Sequence, residues 1–277
     1  MSDAWQFERE TAVEPTGEQN LYTASVSDEW NIGANPNGGY LASIVLRALL
    51  AEVDHAKPIS VTTHYLRPGV AREMATVSTE VLRRGRTTSS ATGRLVQRGK
   101  ERLHMVASFG DAEVDDPELV RYNDLLTIDP VDVPPPEACV SRADLLQGVD
   151  LPILGRVEVR IPPELSQPGE SGQAVTGGWI RFCDGRPPDL ATLPLFCDAF
   201  PPSPFGLLGR VGWVPTLELT VHVRRPPAPG WILAQLHTQD LRDGLLVEDG
   251  VLWDSEGSVV AQCRQLSLLR VEQSPAA

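Results

Sequence analysis

Apolar and polar positions follow two different periods in the first part of this chain. Residues 41–51 form a run rich in Leu and Ala, which predicts a helix that is buried on nearly every side. The segments after it alternate between apolar and polar residues and are separated by turns that contain Gly, which indicates antiparallel strands. The expected strands are 59–66, 74–83, 87–97 and 103–109, preceded by a short strand at 21–26.

The same pattern occurs a second time. A His-x-x-Arg-Pro segment begins at His64 and returns at His222, a shift of 158 residues, and the turn at Gly99 returns in register at Gly257. Solenoid repeats have periods of roughly 20–50 residues, so a repeat of this length predicts a duplicated domain. In the second copy we expect strands near 157–161, 178–182, 215–223, 232–241, 245–253 and 259–269, and a helix near 189–200.

The repeat divides the chain into two modules. We predict an N-terminal module over residues 1–112, an acidic and Pro-rich linker over 113–150, and a C-terminal module over 151–277. One helix followed by a meander that can wrap it is typical of a hotdog module. The predicted fold class is therefore α+β, a tandem or double hotdog with two antiparallel sheets, each wrapped on a central helix.

Composition narrows the function. The chain of 277 residues is 42% hydrophobic and carries a net charge of −13, which argues against nonspecific binding to nucleic acid. Its first residues are polar and no run of about 20 apolar residues occurs, so we expect a cytoplasmic protein with neither a signal peptide nor membrane insertion. Its four cysteines form no C-x-x-C pair, so we expect no metal site, disulfide or cofactor.

Three polar residues of the second module are candidates for chemistry. Asp198 interrupts an apolar helical stretch, Thr216 begins a strand, and Gln265 lies in a strand expected near the centre of the sheet. Three such side chains on neighbouring elements could hold one water molecule. Taken singly, each has an ordinary explanation: a helix cap, a residue suited to strands, and an exposed amide.

A resemblance connects these residues. The order of several motifs is similar to that of the acyl-CoA thioesterase II, or TesB-like, family of double-hotdog enzymes, over nearly the whole chain. The motifs are Trp30, Gly38-Gly39-Tyr40, His64-Tyr-Leu-Arg-Pro68, Leu82-Arg-Arg-Gly-Arg86, Asp198, Thr216, Arg225-Pro226 and the segment from Gly257 to Gln265. In that family an Asp, a Ser or Thr and a Gln orient a hydrolytic water. The matching positions are Asp198, Thr216 and Gln265, whereas Gln262 falls outside the spacing.

The resemblance implies a thioesterase that hydrolyses acyl-CoA to a free acid and CoA. Asp198 would accept the proton of the water, and backbone N–H groups at the start of a hotdog helix would polarise the carbonyl group. Gly38, Gly39 and Tyr40 are the expected substrate-binding residues, because Gly allows a close approach. The candidates for the wall of the acyl tunnel are Phe196, Phe200, Phe205, Leu207, Leu208 and Trp213. The resemblance also implies a homodimer or a dimer of dimers.

Two alternatives remain open. The chain departs from the family pattern at Glu218-Leu219, where well-studied members have an Asp-His pair. The first alternative is a noncatalytic protein that binds acyl thioesters, because such a protein would keep the same fold. A hotdog hydratase that adds water to an enoyl thioester is the other alternative, but residues 34–37 lack its Asp and His. Catalysis is favoured because the positions equivalent to Thr216 and Gln265 in the first copy are Pro58 and Ala107, which suggests one working half.

Overall fold

The computed structural model describes residues 4–111, 122, 125–146 and 148–271. The α-helices with described bounds are α1 (Gln6–Glu10), α2 (Gly38–Leu50), α3 (Leu193–Cys197) and α4 (Pro204–Leu208). The strands are β1 (Glu14–Pro15), β2 (Leu21–Val26), β3 (Asn31–Ile32), β4 (Asn35–Pro36), β5 (Lys57–Tyr65), β6 (Glu73–Arg84), β7 (Thr88–Gln97), β8 (Lys100–Gly110), β9 (Val140–Ser141), β10 (Val157–Ile161), β11 (Val175–Phe182), β12 (Gly212–Trp213), β13 (Thr216–Val223), β14 (Ile232–Arg242), β15 (Leu245–Trp253), β16 (Val259–Leu268) and β17 (Arg270–Val271).

Thirteen of these strands form one continuous sheet. Their order is β1-β2-β6-β7-β8-β5-β13-β16-β15-β14-β11-β10-β9, with every pair antiparallel. The expectation of two separate sheets was wrong in this respect. β5 and β13 form backbone hydrogen bonds with each other, so the strands of the two predicted modules join at this pair and the sheet does not end there.

The junction between β5 and β13 marks the symmetry of the repeat. Thr62 lies directly opposite Thr220, and their hydroxyl oxygens are 2.9 Å apart in a hydrogen bond. These two residues are separated by 158 positions, which is also the shift of the sequence repeat. A residue and its own repeat equivalent therefore face each other, which places this pair on the pseudo-twofold axis that relates the two halves.

The helices of the two halves differ. α2 has 13 residues, and ten of them are buried. The helix expected near 189–200 is instead a 3₁₀ turn, Leu190–Thr192, followed by the five-residue α3. Pro194 has no N–H to donate to the carbonyl of Leu190, so a regular helix cannot run through this point.

The predicted linker, residues 113–150, lies partly outside the described residues. Part of the described portion is tied to the second half by tryptophan side chains: the Trp253 indole donates to the carbonyl of Ile128 at 2.8 Å, and the Trp179 indole donates to that of Pro134 at 2.9 Å. This portion thus follows the surface of the second half. The division at residues 112 and 150 stays a prediction.

Candidate active site

The start of α2 and the end of α3 meet at Asp198. Asn37 caps α2, because its Oδ1 accepts the N–H of Tyr40 at 2.9 Å. The Asn37 amide also donates to Oδ2 of Asp198 at 2.8 Å and to the carbonyl of Asp198 at 2.9 Å. The Gly39 N–H donates to the same Oδ2 at 2.9 Å. A carboxylate from the second half is thereby held at the N-terminus of the first half's helix, where the helix dipole favours negative charge.

Opposing influences act on the charge of Asp198. Burial raises the pKa of Asp198 to about 7, and the negative charge of Glu248 adds to the increase. Hydrogen bonds from Gly39, Asn37 and Gly38 act in the opposite direction. A carboxyl with a pKa near neutrality is suited to accept a proton and to release it again at the same pH.

A cavity of about 530 Å³ lies beside this carboxyl, and Asp198, Thr216 and Gln265 all line it. Thr216 begins β13 opposite Ser267 of β16, and Gln265 is two residues from Ser267 on the same strand. Because side chains alternate along a strand, Thr216 and Gln265 face the same side of the sheet. Gln262 is three residues from Gln265, so it faces the other side, and it is not among the lining residues.

The three expected substrate-binding residues have different surroundings. Gly38 lines the cavity. Gly39 lies in the contact between α2 and α3, where a Cβ atom would come within 2.4 Å of the carbonyl oxygen of Pro194. The structure places Tyr40 in the core instead of the cavity: it is fully buried, its ring stacks on Trp30 at 5.3 Å, and its hydroxyl donates to the carbonyl of Glu10. Tyr40 does not line the cavity, and its hydroxyl already has hydrogen-bond partners in the core.

The expected wall of the acyl tunnel divides in a similar way. Phe200, Phe205 and Trp213 line the cavity. Phe196 packs on Phe182 in the core, with ring centroids 5.2 Å apart. The remaining two candidates, Leu207 and Leu208, are 48% and 41% exposed and are not among the lining residues.

Tyr65 and Glu248 are among the ionisable residues of the cavity that were not predicted from the sequence. Tyr65, at the end of β5, packs its ring against Gly38, and Glu248 of β15 is only 5% exposed. Burial raises the pKa of Glu248, whose Oε2 accepts the N–H of Ser203 at 2.7 Å. One signal for Glu248 was available, because it lies in step with Leu246 and Leu252 on the buried face of an alternating strand.

Two features are absent from the described part of the chain. It contains no group of three or more His, Cys, Asp or Glu side chains placed to hold a metal ion. None of its helices is both long enough and apolar enough to span a bilayer.

Two family models match the chain. The N-terminal domain of acyl-CoA thioesterase matches residues 26–110, and the C-terminal domain of acyl-CoA thioesterase matches residues 130–269. The chain belongs to the acyl-CoA thioesterase family. Membership in this TesB-like family supports thioester hydrolysis as the class of activity.

Solved structures agree with this membership. A candidate thioesterase II from Thermobifida fusca is 30% identical, with 99% of this chain and 100% of that chain covered and a TM-score of 0.83. A protein from Alicyclobacillus acidocaldarius with a hot dog fold is 22% identical and also has a TM-score of 0.83. The match covers 98% of this chain and 100% of that chain. The acyl-CoA thioesterase II TesB2 from Mycobacterium marinum is 22% identical and has a TM-score of 0.76. The match covers 96% of this chain and 99% of that chain. This chain accordingly has a hotdog fold, as the protein from Alicyclobacillus acidocaldarius does.

Proposed function

We propose that this protein hydrolyses acyl-CoA thioesters, with Asp198 as the general base. The observation that carries the proposal is the position of Asp198, a carboxyl with a pKa of about 7 that is fixed by Asn37 and Gly39 in the wall of a cavity. A base placed by hydrogen bonding contributes typically 10²- to 10⁴-fold to the rate.

The proposed reaction is a direct attack by water. Asp198 accepts one proton of a water molecule, whose oxygen forms a bond to the thioester carbonyl carbon. Thr216 and Gln265 orient that water from the sheet. The tetrahedral intermediate then breaks its C–S bond, and the departing CoA sulfur takes the proton held by Asp198, so that the free acid and the thiol leave. The carboxyl ends the cycle in the state in which it began.

The charges of the cavity wall support CoA as the carrier. The exposed side chains Arg67, Arg210 and Arg270 all line the cavity, although the chain as a whole carries a net charge of −13. Guanidinium groups bind phosphate through paired hydrogen bonds. We assign them to the phosphates of CoA, while the apolar residues Phe200, Phe205 and Leu236 face the acyl chain.

The test is release of free thiol from a series of acyl-CoAs from acetyl to palmitoyl, followed with a thiol-reactive dye. We expect a maximum at one range of chain lengths, which the cavity volume sets. The Asp198→Asn variant should keep its fold, since an Asn oxygen can accept the same hydrogen bonds, and its kcat should fall by roughly 10²-fold or more.

Two outcomes would contradict the proposal. Turnover of Asp198→Asn at the wild-type rate would remove Asp198 from the mechanism. If no acyl-CoA releases thiol but acyl-CoA still raises the melting temperature, the protein binds thioesters without hydrolysing them.

A further inference from the structure

The expected oxyanion donors at the start of α2 are already engaged. The N–H groups of Gly38 and Gly39 are directed at Asp198. The N–H of Tyr40 donates to the Asn37 side chain, and the N–H of Asn37 itself, the N-cap, donates to the carbonyl of Trp30 at 3.0 Å. All four donors that a helix leaves free at its N-terminus therefore have partners within the protein. The developing charge on a thioester carbonyl needs a different donor.

The side chain of Tyr65 lies at the right place to supply one. Its Cζ atom and Oδ2 of Asp198 are each 3.0 Å from the point that a Cβ atom on Gly38 would occupy. Tyr65 also lines the cavity, as Gly38 and Asp198 do. The phenol ring and the proposed base thus both lie against Gly38 on the cavity wall. This close approach requires glycine at position 38, because a Cβ atom would contact both groups.

The hydroxyl of Tyr65 is enclosed, and it has no hydrogen-bond partner among the described residues. A buried polar group without a partner costs roughly 1–3 kcal/mol, and native proteins seldom leave one unpaired. Burial holds the pKa of Tyr65 well above its usual range, and the charge of Asp198 acts in the same direction. The phenol therefore stays protonated at neutral pH, so that it can donate a hydrogen bond but cannot act as a base.

We propose that the Tyr65 hydroxyl donates a hydrogen bond to the thioester carbonyl oxygen and stabilises the oxyanion that forms on it. This inference rests on the proposed hydrolysis at Asp198. When the water oxygen bonds to the carbonyl carbon, the π pair of the carbonyl moves onto its oxygen, next to the phenol O–H. When that pair re-forms the carbonyl, the C–S bond breaks, and Tyr65 has kept its proton throughout.

The first test is the Tyr65→Phe variant in the thiol-release assay. Removal of one oxyanion donor costs about 10²- to 10³-fold in kcat, so we expect that loss with KM little changed. The melting temperature should not fall, because the deleted hydroxyl makes no hydrogen bond within the described protein. The control is Tyr22→Phe, which removes a hydroxyl bonded to Glu52 at 2.6 Å outside the cavity and should leave kcat unchanged.

A second measurement does not depend on turnover. In a ketone analogue of acyl-CoA, a methylene group replaces the thioester sulfur, and a ¹³C label on its carbonyl gives a separate infrared band. We expect this band at a lower frequency in the wild-type complex than in the Tyr65→Phe complex, because a donated hydrogen bond weakens the C=O bond.

The outcomes separate the two proposals. Equal kcat in an active wild type and in Tyr65→Phe, or equal carbonyl frequencies in the two complexes, would overturn the role of Tyr65 and leave hydrolysis intact. A wild type without turnover that still shows the frequency difference would overturn hydrolysis and leave Tyr65 as a carbonyl donor in a binding protein. An analogue that binds with no lowering of its carbonyl frequency relative to a nonpolar solvent would exclude the hydrogen bond on the wild type alone.

Discussion

At the scale of single residues, the charge state of Asp198 controls the proposed chemistry. Asp198 must be ionised to accept a proton, and its pKa is raised to about 7. We therefore expect kcat/KM to rise with pH and to level off above about pH 7. The ascending limb of this pH profile reports the pKa of the essential base in the free enzyme. A pH series of thiol release, corrected for spontaneous hydrolysis, measures it. A flat profile between pH 5 and 8 would contradict this assignment.

The same raised pKa affects stability. The unfolded chain ionises Asp198 near its ordinary value of 3.8, while the folded chain does so near 7. Protonation of Asp198 therefore adds to the free energy of unfolding. This contribution is fully present below pH 3.8 and is lost as pH rises to about 7. The Asn side chain of Asp198→Asn does not titrate, so the variant does not lose this contribution. The melting temperature of the variant minus that of the wild type should therefore become larger as pH rises from 5 to 8. Scanning fluorimetry of both proteins in matched buffers measures the difference; a constant difference would argue against the raised pKa.

Glu248 is expected to act on Asp198 through its charge. Because the charge of Glu248 raises the pKa of Asp198, the Glu248→Gln variant should move the ascending limb of the pH profile to lower pH. The control is Asp240→Asn, which removes the same charge from an exposed position on the neighbouring strand β14. The control should keep the wild-type midpoint. Equal midpoints for all three proteins would show that Glu248 does not influence the base.

At the scale of elements, the contact between α2 and α3 depends on Gly39. A Cβ atom there would lie 2.4 Å from the carbonyl oxygen of Pro194 and 2.7 Å from the Cα atom of Leu195, and backbone atoms cannot turn away as a side chain can. Gly39→Ala should reduce the free energy of unfolding by about 1–3 kcal/mol, the range for overpacking. Gly155→Ala is the control, since nothing lies within 4 Å of its Cβ position. Urea unfolding compares the two; equal stabilities would mean that the helices separate without cost.

The sequence predicted strands better than it predicted helices. Strands β10 and β15 have the expected ends, and β5 to β8 differ from their expected bounds by three residues at most. Period-two alternation is a local property of the chain, so it can be read without knowing the partners of a strand. The helix near 189–200 was predicted too long because its apolar composition outweighed Pro194, and the break there follows from a missing backbone donor.

At the scale of the whole molecule, the two halves are joined in more than one way. β5 pairs with β13, α2 packs on α3, and Asn37 binds Asp198 across the chain. We expect one cooperative transition in scanning calorimetry, with the calorimetric and van't Hoff enthalpies equal. Two resolved transitions would mean that the halves unfold independently. The homodimer or dimer of dimers stays a prediction, which sedimentation of the purified protein tests.

The duplication, most of the strands, the first helix and the candidates Asp198, Thr216 and Gln265 could be predicted from the order of the amino acids, because they follow from local periodicity and from motif order. The surroundings of these residues depend on contacts between distant parts of the chain. The partners of Asp198 lie in the other half of the chain, Tyr40 is in the core, and the hydroxyl of Tyr65 is enclosed beside Gly38. Asn37 and Asp198 are 161 residues apart, and a hydrogen bond over that separation leaves no periodic pattern in the sequence, because it arises only when β5 and β13 bring the two halves into one sheet.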